Sequence, residues 1–451
     1  VTGPADLRDQ VAARLGALWD DPVEVAELRR LPGGASRETW SFEAAGRGLI
    51  LRCDPWGAAG PEGMAREAAA FEAALTAGVP VPRVYDWGDG SGEIGAPYLL
   101  QERLDGETIP RKLLRDERFA AVRPTLAAEL GRLLAKVHTI PLEALPGLEG
   151  GDPLERLITL YDGFGEPRPA IEIALRRLAE HRPPAASDTV VHGDFRTGNL
   201  LIDAGGVRGV LDWELVHRGD PVEDLGWLCV KAWRFGSPLP AGGFGTREEL
   251  LAGYAEVAGE RPDEGRLRWW EVYGTLRWAL LCRLQAERYL SGAESSIELA
   301  VLGRRVCEQE HDLLLALGLT APQIVPDPLD GHTDAAAVPH DRPGHDGLLD
   351  AVGAFLTSDV LAVGDPRVRF HARVAANAIR IARREVLLAD AQRAAHRGRL
   401  AELGCADDAE LARAVRAGDL DDRFDDVVSA VRATVTDKLL VANPGYLGQP
   451  G

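Results

Sequence analysis

The chain has 451 residues, with 51 Lys plus Arg against 70 Asp plus Glu and a formal charge of −19, a balance that excludes nucleic-acid binding through broad basic faces. With 45% hydrophobic and 27% charged residues it has the composition of a soluble globular protein long enough for two or three domains. Its five cysteines (Cys53, Cys229, Cys282, Cys307, Cys405) form no Cys-x-x-Cys pair, and no apolar run approaches the roughly 18 residues a membrane span needs, so the expected setting is the reducing cytoplasm, off the membrane.

In chain order, the sequence predicts a helix near Pro4–Trp19 and then short alternating strands at Val23–Leu31, Glu38–Ala44 and Leu49–Cys53, suited to an antiparallel meander. An Ala-rich helix over Glu62–Ala77 stops at Gly78, with Pro80 and Pro82 beyond it. Strands at Val84–Trp87 and Pro97–Arg103 flank Gly88–Gly92, which reads as a hairpin turn because no helix starts where a phosphate loop needs one. Long helices are expected at Glu117–Thr139, Leu154–Glu180 and Leu267–Leu290, interrupted by a hairpin of Asn199–Ile202 and Val207–Leu211 turning through Asp203–Gly206. Residues 319–345 are Pro-rich and aperiodic and read as a linker; its His332, His340, Asp341, His345 and Asp346 are spaced too irregularly for a metal site. Beyond it, Gly347–Ser358, Pro366–Leu403, Asp408–Ala417 and Asp421–Val441 read as helices, the second capped by Asp365 with Pro366 at its first position.

The chemistry concentrates between Val190 and Glu214. Phosphoryl transfer from ATP needs a carboxylate near the acceptor hydroxyl and an oxygen-donor pair to hold magnesium on the phosphates. Asp194 on the loop, Asn199 where the hairpin begins and Asp212 where it ends supply all three.

His192, Asp194 and Asn199 fit the H-x-D-x-x-x-x-N catalytic loop of the protein-kinase-like fold, and Asp212 falls at its second metal-binding aspartate. With Gly193 after the histidine and Asp212-Trp213-Glu214 in place of Asp-Phe-Gly, the chain resembles the aminoglycoside phosphotransferase and choline kinase superfamily. The set Gly33-Gly34-Ala35-Ser36, Leu51-Arg52, His192–Arg196 and Leu276–Ala279 is similar to the branch of kinase domains fused to acyl-CoA dehydrogenases.

The resemblance implies an α+β, two-lobed protein-kinase-like fold: a small antiparallel-sheet N-lobe over 1–104, a mainly helical C-lobe over 105–318, the 319–345 linker and an all-α domain over 346–451. It implies an ATP- and Mg²⁺-dependent kinase acting on a hydroxylated small molecule, with Asp194, Arg196 and His192 catalytic and Asn199 and Asp212 on the metal. Gly33, Gly34 and Ser36 would cover the phosphates, Arg52 would replace the usual lysine and pair with Glu67, and Glu102 to Leu104 would form the adenine hinge. His138, Asp220 and Asp224 read as packing residues and loop anchors. The path from Asp212 to Pro221 is too short for a protein-kinase activation loop, which favours a small acceptor. Lys231, Arg234, Arg266, Arg268 and Arg277 among Trp233, Trp269, Trp270 and Trp278 suggest an anionic one, such as a hydroxyacyl-CoA, over an aminoglycoside. The alternatives are aminoglycoside O-phosphorylation, a non-catalytic ATP-binding scaffold, or nucleotidyl transfer. The C-terminal domain is expected to be a homodimerisation or packing module dispensable for nucleotide binding.

Overall fold

The computed structural model describes residues 4–31, 37–54, 62–330 and 344–451. In chain order, helix α1 (Pro4–Trp19) precedes strands β1 (Val25–Arg30), β2 (Glu38–Ala44) and β3 (Arg47–Cys53), then helix α2 (Glu62–Thr76) and strands β4 (Val84–Asp89) and β5 (Pro97–Glu102). Helices α3 (Pro110–Arg115), α4 (Arg123–His138), α5 (Pro153–Phe164) and α6 (Pro169–Glu180) lead to short strands β6 (Thr189–Val191), β7 (Leu200–Asp203), β8 (Gly206–Val210) and β9 (His217–Gly219). Then come α7 (Val222–Cys229), α8 (Arg247–Ala258), α9 (Glu264–Leu290), α10 (Ile297–Gly303), α11 (Val306–Ala316), α12 (His345–Phe355), α13 (Pro366–Leu403), α14 (Asp408–Ala417) and α15 (Phe424–Ala442). Contacts divide the chain into one unit of Val1–Gly151 with Pro184–Trp270 and another of Asp152–Pro183 with Glu271–Gly451.

The first unit carries a five-stranded antiparallel sheet in the order β1-β2-β3-β5-β4. The meander therefore runs only through β3; β5 takes the next place because its Tyr98, Leu99 and Leu100 are buried, while β4 lies at the edge. Leu7, Val11 and Leu15, one turn apart on α1, bury against Val25, Phe42, Leu49, Leu51 and Leu100. Helix α2 ends as its sequence dictates, with Gly78 at φ +75° and its N–H on the Leu75 carbonyl. Between β4 and β5, Asp89 Oδ1 accepts from the Ser91 N–H at 2.9 Å, a local turn and not a helix start. Helices α4 and α8 meet backbone to backbone, because a Cβ on Gly131 would lie 2.1 Å from the Leu250 carbonyl and one on Gly253 2.0 Å from that of Ala128.

The second unit corrects one expectation. Leu154–Glu180 is two helices, broken where Gly165 adopts φ +62° and Pro167 and Pro169 remove backbone donors. It also shows what α6 and α11 pack against. Ala170, Ile173, Cys307 and Leu314 share one core with Leu400, Leu411, Val427, Val431 and Leu439 from the C-terminal helices. Buried Glu310 is held by Arg168 at 3.1 Å and Lys438 at 3.0 Å, and Glu172 takes Arg416 at 2.8 Å. Helix α13 starts on the Asp365 cap, which accepts from Arg367 and Val368 N–H groups, and stops at Gly404 in the left-handed conformation. His332, His340 and Asp341 lie outside the described residues; Asp346 pairs with Arg383 at 2.8 Å. Among the described residues no helix is long and apolar enough to cross a membrane, and the five cysteines are buried and form no disulfide.

Candidate active site

Strand β6 pairs with β9 and delivers the chain into the loop that starts at His192. Asp224, wholly buried on α7, accepts from the N–H groups of His192 at 2.8 Å and Gly193 at 2.9 Å, and lies 3.3 Å from His138 Nε2. Burial opposes the charge on Asp224, yet the hydrogen bond and charge of His138 hold its carboxyl below the usual range. The other ring nitrogen of His138 meets Tyr254 Oη at 3.0 Å, so α4 and α8 brace the loop through α7. This bears out Asp224 and His138 as anchor and packing residues.

Gly193 turns the loop at φ +80°, where a Cβ would sit 2.4 Å from the Leu215 carbonyl. Gly193→Ala is therefore expected to lose about 2–4 kcal/mol, the combined cost of a left-handed backbone and a clash with a carbonyl that cannot retreat. Chemical denaturation checks this, and an unchanged midpoint would mean that the loop is not held as described.

His192 is fully buried against Trp213, with ring centroids 4.5 Å apart. Its Nδ1 accepts from the Asp194 N–H at 3.1 Å, which leaves Nε2–H to donate to the Leu211 carbonyl at 3.1 Å. Burial pushes its pKa down. Both ring nitrogens of His192, expected from the sequence to be catalytic, are thus hydrogen-bonded to backbone.

Asp194 collects donors from several directions. Trp227 Nε1 donates to Oδ1 at 2.9 Å, Asn199 Nδ2 to Oδ2 at 2.6 Å, and Arg196 Nε lies 3.1 Å from both oxygens. The Arg196 guanidinium also rests over the Trp233 ring, 4.9 Å from its centroid. Asn199 closes a short helical turn, and its carbonyl accepts from the Leu211 N–H at 2.9 Å, tying the start of the β7–β8 hairpin to its end next to Asp212. Asp212 is in the left-handed region at φ +67°, an unusual state for a side chain other than glycine.

On the sheet side, Arg52 of β3 reaches Glu67 of α2 through Nη1 and Asp212 Oδ1 through Nη2 at 2.8 Å, bringing together three residues picked from the sequence. Arg37 pairs with the other oxygen of Glu67 and with Asp54 at 2.6 Å, and lies 3.7 Å from Glu214. Burial, then the nearby Asp212 charge, pushes the Glu214 carboxyl up to about 7. Gly33, Gly34 and Ser36 lie outside the described residues. Glu102 ends β5 with its N–H on the Arg83 carbonyl at 2.8 Å, and the Leu104 side chain lies against Gly209 of β8.

Sequence reasoning missed Arg37, Asp54 and Trp227, and gave Glu214 no role. A signal existed for the first two: Glu38 and Cys53 are register partners, so Arg37 and Asp54 are the next pair beyond them. The cationic acceptor surface is not borne out. Buried Arg234 is spent on the Cys229 carbonyl, Arg266 on Asp220 and the Pro184 carbonyl, and exposed Arg268 on Glu264. Trp269 and Trp270 are core, edge to face at 4.9 Å, while Arg277 and Trp278 belong to the second unit.

The oxygen donors suit a hard cation. Asn199 Nδ2 is spent on Asp194, which leaves its Oδ1 without a partner among the described residues, and Asp212 is partly exposed. No group of three or more His, Cys, Asp or Glu side chains surrounds a common metal position among the described residues, so a cation here would depend on ligand oxygens as well.

Residues 27–270 match the phosphotransferase enzyme family, and residues 362–446 match a domain of unknown function, DUF6285. Acyl-CoA dehydrogenase family member 10 of Mus musculus is 31% identical over 232 residues, 48% of this chain and 21% of that protein. Member 11 of Gallus gallus is 26% identical over 334 residues, 67% of this chain and 42% of that protein. The chain thus spans less than half the length of these relatives. Hygromycin-B 4-O-kinase of Escherichia coli is 24% identical over 217 residues, 44% of this chain and 60% of that protein. A crystal structure from Ralstonia eutropha JMP134, assigned to the aminoglycoside phosphotransferases, superposes with a TM-score of 0.56 at 22% identity, covering 69% of this chain and 98% of that one. The sheet lobe, the braced loop and the family match over more than half its length agree: the chain belongs to the phosphotransferase enzyme family.

Proposed function

We propose that the chain transfers the γ-phosphoryl group of ATP to a hydroxyl of a small molecule. The observation that carries this reading is Asp194: a partly exposed carboxylate, fixed by three side-chain donors, on the loop that leads into the hairpin flanked by an oxygen-donor pair. In the reaction the acceptor oxygen bonds to the γ-phosphorus as the bond to the β–γ bridging oxygen breaks, and the hydroxyl proton passes to Asp194. Asn199 and Asp212 would hold Mg²⁺, which when bound with the nucleotide offsets charge on the β- and γ-phosphates. Arg52 and Glu67 orient phosphate from the sheet side, Gly33, Gly34 and Ser36 cover it, and the segment Glu102 to Leu104 borders the adenine. Arg196 holds the Asp194 carboxylate from one side while its stack on Trp233 fixes the guanidinium. Five buried cysteines that form no disulfide support a reducing compartment such as the cytoplasm.

For the acceptor, the acyl-CoA dehydrogenase relatives favour a hydroxyacyl thioester, and the hygromycin-B kinase supports a second reading, an aminoglycoside. The arginines once expected to favour an anion do not decide between them. Steady-state rates with 3- and 4-hydroxyacyl-CoA against hygromycin- and kanamycin-type acceptors separate the two. Efficient turnover of the thioester alone is the expected outcome; turnover of the antibiotics alone would transfer the assignment to the second reading.

A further inference from the structure

We propose that Arg37 is a second phosphate-binding arginine, donating to a nucleotide phosphate oxygen beside Arg52; the inference rests on the ATP reading above. Arg52 has both terminal nitrogens committed, one to Glu67 and the other to Asp212. It cannot turn its fork to a phosphate without giving up a carboxylate.

Arg37 is placed differently. It follows the glycine-containing segment directly and precedes β2, one step beyond the Glu38–Cys53 register pair. Its Nε donates to Asp54 and its Nη1 to Glu67. Its Nη2 has no partner among the described residues, and the side chain is 9% exposed.

Glu67, itself 1% exposed, thus holds two guanidinium groups side by side, one on each oxygen. A purely structural ion pair would be complete with Asp54 and Glu67. Nη2, on a side chain that directly follows the segment read as the phosphate cover and whose Nη1 lies 3.7 Å from Glu214, is a planar donor of the kind that suits phosphate. The two arginines face four carboxylates, Asp54, Glu67, Asp212 and Glu214, which hold both guanidinium groups in place.

The test is calorimetric titration of the full chain with magnesium-bound AMP-PNP, magnesium-bound ADP and adenosine. Wild type is compared with Arg37→Lys and with the double substitution Arg37→Gln/Asp54→Asn. The second variant replaces the ion pair by a neutral hydrogen-bonding pair and leaves Glu67 with Arg52, so it serves if the lysine variant melts early. The expected result in both is a Kd raised by about 10–100-fold for the two phosphorylated ligands, as for loss of one charge-assisted hydrogen bond, with adenosine affinity unchanged. Equal weakening of all three ligands would make Arg37 a purely structural residue and overturn the proposal, as would unchanged affinity for all three. A wild-type chain that binds none of them overturns the ATP reading and this inference with it.

Discussion

Asp194→Asn is expected to lower turnover by about 10²–10⁴-fold, the range for loss of general-base assistance, while nucleotide affinity stays within about threefold. Its two oxygens accept separately, Oδ1 from Trp227 and Oδ2 from Asn199, with Arg196 spanning both. Asparagine keeps one of those oxygens and turns a donor toward the other partner, so one donor is left facing a donor. A stability loss of about 1–3 kcal/mol accompanies the change, and turnover is compared below the melting onset. Stopped assays for turnover and calorimetry for nucleotide affinity separate the two effects. Full turnover in a folded variant would remove Asp194 from the chemistry.

Ending the chain after Leu319 is expected to leave it unable to fold to a stable state. The linker suggested from sequence that the following helices could be cut away, but their apolar side chains complete the core around Ile173, Cys307 and Leu314. Each of Leu400, Leu411, Val427, Val431 and Leu439 contributes about 1.5–3 kcal/mol by burial, together comparable to the whole stability of a domain. The truncation also takes Lys438 from Glu310, Arg416 from Glu172 and Tyr446 from Asp312. Soluble yield, dye binding to exposed apolar surface and the unfolding midpoint measure the effect. A truncated chain with the full-length midpoint would show that the tail is separable after all.

What was legible in the sequence was what lies close along it. His192, Asp194, Asn199 and Asp212 fall within one loop and one hairpin, so spacing alone placed them together, and Asp365-Pro366 and Gly78 marked helix ends by their own backbone chemistry. Arg52 and Glu67 were reached through a resemblance, and their pairing follows from β3 and α2 being consecutive. The break at Gly165–Pro169 was written in the residues but outweighed by the apolar periodicity on either side. Trp227 on Asp194 and Tyr254 on His138 depend on how α7, α4 and α8 pack, which no local pattern encodes. The same holds for the core joining α6 and α11 to α14 and α15, whose partners lie far apart in the sequence. Arginine charges were the least reliable guide, because Arg234 and Arg266 look like free cations in sequence, whereas in the fold Arg234 is a buried donor and Arg266 a half-buried one.

The most direct test of the central claim follows the γ-phosphoryl group itself. ATP carrying ¹⁸O in its γ-phosphoryl oxygens is incubated with the full chain, Mg²⁺ and a panel of hydroxylated metabolites, and the products are read by mass spectrometry. The account predicts an acceptor bearing a phosphoryl group with the label and an equal amount of ADP, both strongly reduced in Asp194→Asn. An acceptor bearing the adenylyl group, with the label released in pyrophosphate, would contradict it.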